Sequence, residues 1–172
     1  MEIEKSRDNK LKNKGETKNE MKLIFDALSE NEAFARIAVA AFVTPLNPTV
    51  EEISDIKTAV SEAVTNAIIH GYDQEETGEE ASDRDNKVYI KCVIEKDILH
   101  VEVMDEGRGI ENIEQAMEPL FTTKPEMDRS GMGFAFMEAF MDDLEVISQP
   151  GVGTTVLMKK KLGITPWLQQ EE

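Results

Sequence analysis

The chain has one cysteine among its 172 residues, so no internal disulfide can form. That fits a reducing compartment. Cations are scarce. Against 35 aspartates and glutamates stand 19 lysines and arginines, a formal net charge of -16. Such a surface repels phosphate backbones, which argues against direct nucleic-acid binding. No apolar run reaches the roughly 18 residues of a membrane span, and no signal-peptide-like stretch opens the chain. No G-x-x-x-x-G-K-[ST] occurs, so a P-loop is excluded. There is no internal repeat. What remains is an apolar share of 40%, ordinary for one globular domain with a sizeable core. These features together describe a soluble cytoplasmic protein.

Residues 1–20 are almost all polar and aperiodic, and are expected to form a disordered extension. A folded domain is expected over 21–162, with 163–172 as a tail. In MKLIFDA, Met21, Leu23 and Phe25 alternate with Lys22, Ile24 and Asp26, as on a strand. Ser29 and Glu32 have capping-box spacing for a helix over about 30–42. Its inner face is expected to be Phe34, Ile37, Ala38, Ala41 and Phe42, with Glu32 and Arg36 opposite. Thr49 and Glu52 make a second capping box for a helix ending near His70, with Gly71 as its stop.

Residues 73–85, with seven acids and one arginine, read as a solvated loop. Two strands follow. Val88, Ile90, Cys92 and Ile94 share one face, which makes Cys92 a core residue and not a nucleophile. Leu99, Val101 and Val103 share the next, with His100 and Glu102 turned outward. Beyond a Gly-rich turn lie a helical patch near 112–117, a polar loop, a helix in GFAFMEAFMDD, and strands LEVISQ and GTTVLMKK. The fold class is α+β: a two-layer sandwich with helices on one face of a mixed, mainly antiparallel sheet.

Several clusters could carry chemistry. DEGRG (105–109) ends a strand; Asp105 continues the series of Val101 and Val103, so it faces the helices. A plain turn is the simpler reading of that cluster alone. SGMGF (130–134) opens a helix, where free N–H groups and glycines suit an anion, or Ser130 is only an N-cap. GVGTT (151–155) fits an ordinary hairpin. Glu62 and Asn66, spaced i,i+4, share a helix face beside Ala59, Ala63 and Ala67. An amide oxygen suits Mg²⁺, and a nearby carboxylate could orient or deprotonate a hydroxyl. Alone, the pair reads more simply as a solvated polar helix edge. His70 on the same line suits a helix C-terminus.

The order of these clusters is more specific than any one of them. Glu and Asn on a helix, D-x-G-x-G after a strand, a polar loop, S-G-x-G-F and G-T-T together resemble the GHKL ATP-binding superfamily. SEAVTNAIIHGY, MDEGRGI, PLFTTKPEMDRSGMGF, FMDD and GTT are similar, over about residues 19–160, to the anti-sigma F factors of sporulating bacteria. The polar extension and the long acidic loop depart from that pattern outside the motifs.

The resemblance implies ATP and Mg²⁺ as cofactors. Asn66 would ligate the metal and Asp105 would accept from the adenine amino group. Gly107 and Gly109 would let the chain pass close to the base. The segment of Thr122, Thr123, Lys124 and Arg129 would form a lid, its Lys124 and Arg129 near the phosphates. Ser130, Gly131 and Gly133 would meet phosphate, and Thr155 would sit near the adenine. Glu62 would be the base or the group positioning a serine hydroxyl.

The implied activity is serine phosphorylation of an anti-anti-sigma factor by a homodimer that also holds sigma factor F inactive. Glu32 and Arg36 would bind both partners. Three other readings stand beside this one. The catalytic half of a sensor histidine kinase needs a phospho-accepting histidine, and only His70 and His100 exist. A stress-response anti-sigma kinase would share the chemistry. A binding module with a dead ATP site conflicts with intact Glu62, Asn66, Asp105 and SGMG.

Overall fold

The computed structural model describes residues 18–72, 86–121 and 131–163. Five strands form one sheet: β1 (Lys18–Asp26), β2 (Lys87–Glu95), β3 (Ile98–Asp105), β4 (Asp143–Gln149) and β5 (Gly153–Lys161). Their order is β1-β2-β3-β5-β4, and every pairing is antiparallel. Strand β1 starts at Lys18, three residues before the hydrophobic alternation, because backbone pairing with Glu95 continues where side-chain burial stops. The expectations for residues 1–17, for the loop 73–85 and for the tail beyond Gly163 lie outside the described residues.

Strand parity came out as expected. Val88, Ile90, Cys92 and Ile94 on β2, and Leu99, Val101 and Val103 on β3, are buried against the helical layer. Burial pushes the Cys92 thiol up to about 12, so it stays a protonated apolar side chain. On β5 the core face is Val156, Met158 and, unexpectedly, Lys160. The Lys160 ammonium donates to Asp55 at 3.1 Å and to the Phe140 carbonyl at 2.6 Å. A buried charge with two acceptors ties three elements at one point.

Helix α1 spans Glu30–Phe42, α2 Val50–Asn66, α3 Ile113–Ala116 and α4 Gly133–Phe140. Helix α2 lies between α1 and α4, burying Ile56, Ala59, Val60, Ala63 and Val64. Its capping box forms: the Glu52 N–H donates to the Thr49 hydroxyl at 3.1 Å, and the Thr49 N–H donates to Glu52 at 2.7 Å. The helix does not run unbroken to His70. After Asn66 it widens into a π-helical turn, Ala67–Gly71, and Gly71 does not adopt the left-handed cap conformation. Such turns displace one residue from the α-helical register and often occur at functional sites.

Two expectations for α1 fail. Ser29 takes helical dihedrals (φ -56°, ψ -29°) and makes no side-chain cap. The Glu32 carboxylate instead accepts the Ser61 hydroxyl of α2. The buried stripe is Ala35 and Val39, while Phe34 and Ile37 are 54% and 59% exposed. Helix α1 carries two apolar stripes, and the small residues are the ones that let it approach the alanines of α2. Glu32 therefore lies toward α2 and not opposite the core.

Candidate functional site

The π-helical turn presses the end of α2 against the turn that leaves β3. The Arg108 N–H donates to the Gly71 carbonyl at 2.8 Å. Only a glycine fits at 107, since a Cβ there would lie 2.0 Å from that same oxygen. Two residues on, Gly109 has φ +72° and runs beside the Gln149 carbonyl.

Between this junction, the sheet and the start of α4 lies a cavity of about 650 Å³, within the size range of small-molecule sites. Asp105, Val103, Thr154 and Val156 line it from the sheet, Asn66 and His70 from α2 and its π-turn. Gly131, Gly133 and Phe134 line the opposite side.

Asp105 is the buried carboxylate of this cavity, 5% exposed. Burial raises its pKa to about 6, against the lowering effect of N–H bonds from Gly107 and Thr154. The Gly107 N–H lies 2.9 Å from Asp105 Oδ1. A carboxylate held by backbone donors, with acceptor capacity left toward a cavity, is suited to an amino group.

At the other end, α4 begins directly over Glu62 and Asn66. A Cβ on Gly133 would lie 3.1 Å from Glu62 Oε2 and 3.4 Å from the Asn66 amide atoms. The start of a helix, an amide and a carboxylate meet there without an intervening side chain. This set fits a hard cation that takes most of its ligands from phosphates and water. Among the described residues no group of three or more His, Cys, Asp or Glu forms a metal cage.

The structure thus brings together Glu62, Asn66, Asp105, Gly107, Gly109, Gly131 and Gly133. Thr122, Thr123, Lys124, Arg129 and Ser130 lie outside the described residues. The flanks of that segment meet, with the Leu120 N–H donating to the Gly131 carbonyl at 2.9 Å. Thr155 does not line the cavity: it pairs with Met104 on the far side of the sheet, and its neighbour Thr154, opposite Asp105, lines it instead. Thr154 shares a 2.9 Å hydroxyl contact with Ser148, which in turn accepts the Ile110 N–H at 2.8 Å. The signal for Thr154 was the parity of Asp105, but the register between β3 and β5 was needed to use it. Glu32 and Arg36 stand apart on α1, paired at 3.6 Å.

This arrangement has known counterparts. Residues 25–160 match the histidine kinase-like ATPase domain family. The anti-sigma F factor of Oceanobacillus iheyensis is 56% identical over 145 residues, 84% of this chain and 94% of the relative. That of Clostridium beijerinckii is 56% identical over 146 residues, 85% and 96% of the two chains. This chain belongs to the anti-sigma F factor family.

The matched domain is of ATPase type, and its span contains every element that lines the cavity. Solved structures agree on the fold. The RsbU and RsbW domains of a Mycobacterium tuberculosis protein superpose with a TM-score of 0.57 at 17% identity, covering 84% of this chain and 32% of that one.

Proposed function

We propose that this chain is an anti-sigma factor that inhibits sigma factor F and, as an Mg²⁺-dependent serine kinase, phosphorylates its anti-anti-sigma factor. The observation that carries the kinase reading is the meeting of Glu62, Asn66 and the first residue of α4 at one end of a cavity whose other end holds Asp105. Asp105 would select adenine, because guanine presents a carbonyl where adenine presents its amino group. Bound Mg²⁺ would neutralise phosphate charge. The Asn66 amide would orient the triphosphate toward Gly133, and Glu62 would hold the incoming serine hydroxyl. The serine oxygen then bonds to the γ-phosphorus, the bond to the bridging oxygen breaks, ADP leaves, and the hydroxyl proton passes to Glu62. Little covalent work is asked of the protein, as befits a reaction that is mostly positioning and charge stabilisation.

Glu32 and Arg36 would form the shared partner surface. Arg36 is half-exposed, yet its Nε is buried and has no acceptor. The exposed part of the guanidinium, beside Glu32, is the part that a partner's carboxylate could reach. If both partners use it, the unphosphorylated anti-anti-sigma factor can displace the sigma factor, and its phosphorylation ends the competition. Arg36→Ala should weaken both partners by at least about tenfold and leave ATP affinity unchanged, as read by calorimetry. Equal binding by the variant would contradict the shared surface. A nucleotide-gated sigma inhibitor without kinase activity is the alternative, and transfer of label to a partner serine separates the two.

The dimer we assign to the β1 edge. Strand β1 is terminal in the sheet, and Phe34, which touches Phe25 edge-on at 6.4 Å, continues an outward apolar stripe with Ile37 and Ala41. An open edge beside exposed apolar side chains is a surface that proteins normally cover. A second copy would cover both at once. Sedimentation should give two chains for the wild type and one for Phe34→Asp. A dimer of unchanged stability in the variant would place the contact elsewhere. The proposed setting is the cytoplasm; no helix among the described residues is long and apolar enough to cross a membrane.

A further inference from the structure

Tyr72 follows the π-helical turn and is not among the residues that line the cavity. Its hydroxyl nevertheless occupies the one place where the end of α2, the start of β2 and the Asp105 turn meet. It accepts the Glu106 N–H at 2.8 Å and donates to the Lys87 carbonyl. The ring packs at the margin of the apolar core. Burial raises the phenol's pKa, so it remains a donor at any physiological pH.

Consider what fixes the direction of the Asp105 carboxylate. Two N–H groups donate to it, that of Gly107, which moves with the same turn, and that of Thr154 on β5, which holds the carboxylate but not the peptide that follows it. Further along, the turn is tied to the fold by the Arg108 N–H on the Gly71 carbonyl, the Gly151 N–H on the Arg108 carbonyl and the Ile110 N–H on Ser148. The Glu106 N–H on the Tyr72 hydroxyl is the contact at the peptide that directly follows Asp105. Tolerance is small, since a Cβ on Gly71 would already lie 2.8 Å from the Asp105 carboxylate carbon. A rotation of the 105–106 peptide would swing the carboxylate across the cavity, and a base-recognition bond tolerates about 0.5 Å of error.

We propose that Tyr72 is a positioning residue for base specificity: its hydroxyl clamps the Glu106 peptide and so aims Asp105 at the amino group of adenine. This rests on the adenine-nucleotide reading given above. Tyr89 supplies an internal control. Its hydroxyl donates to the side chain of the same residue, Glu106, at 3.1 Å.

The test compares ATP with inosine triphosphate, which carries a carbonyl in place of the 6-amino group. Affinities are measured by calorimetry on the full-length chain, as wild type, Tyr72→Phe and Tyr89→Phe. Phe keeps the ring in place, and a thermal melt of each variant checks the fold. The wild type should prefer ATP. Tyr72→Phe should lose about tenfold in ATP affinity with little change for inosine triphosphate, so the preference shrinks by the same factor. Tyr89→Phe should keep the wild-type preference. A purely structural tyrosine would weaken both nucleotides alike or neither, and an unchanged ratio in Tyr72→Phe overturns the proposal while sparing the adenine reading. A wild type without preference overturns both.

Discussion

Asp105→Asn should lower ATP affinity by about 100-fold or more while making the nucleotide-free protein more stable at neutral pH. Both effects come from the same burial. The carboxylate already accepts N–H bonds from Gly107 and Thr154. An asparagine keeps only one oxygen acceptor, so with its oxygen turned toward the Gly107 N–H its NH₂ would face the proposed adenine amino group donor to donor. Losing a charge-assisted bond and gaining an opposed donor costs about 3 kcal/mol, or 100-fold.

The stability change has a definite sign. Burial raises the Asp105 pKa from its ordinary value to about 6. Between about pH 4 and pH 6 the folded chain holds a proton that the unfolded chain has lost. Stability contributed by this group is therefore present at low pH and is lost as pH rises through 6. At pH 7 the ionised, buried carboxylate costs on the order of 3 kcal/mol. Asparagine removes that cost, and thermal melts of the two proteins should converge near pH 4 and separate by several degrees above pH 6. A variant that melts below the wild type at pH 7 would contradict this.

The second large effect is on transfer. Asn66→Ala should reduce phosphorylation of the anti-anti-sigma factor by about 1,000-fold or more, since it removes the proposed protein ligand to the ion. Asp105, the proposed adenine contact, lies at the other end of the cavity, so nucleotide affinity measured without Mg²⁺ should stay near the wild-type value. Addition of Mg²⁺ should then tighten binding in the wild type and not in the variant. Glu62→Gln should keep Mg²⁺-dependent binding and lose about 100-fold or more in rate, the usual contribution of a positioned base. A variant at Asn66 with full activity would remove the metal role from this helix.

How much of this was readable in advance differs by element. The period-two patterns of β2 and β3 placed Cys92 and Asp105 on the core face, because in a strand parity alone decides the side. The capping box at Thr49 was a local signal and formed. The capping box at Ser29 had the same spacing and did not, because Glu32 found a partner on another helix. The inner face of α1 was misread for a similar reason. Phe34 and Ile37 are more hydrophobic than Ala35, yet fit against α2 favours the small side chain. Thr154 and Tyr72 became visible only through the β3–β5 register and the π-helical turn, which depend on contacts between distant segments. Glu62 and Asn66 were evident as a pair on one helix face. That α4 would start directly above them was not.

The most direct test of the account is to mix the purified chain with radiolabelled Mg·ATP and its anti-anti-sigma partner. The account predicts label on one serine of the partner, absent when Asn66→Ala replaces the wild type. A wild type that binds ATP and the partner but transfers no label would contradict it, leaving a nucleotide-gated inhibitor of the sigma factor.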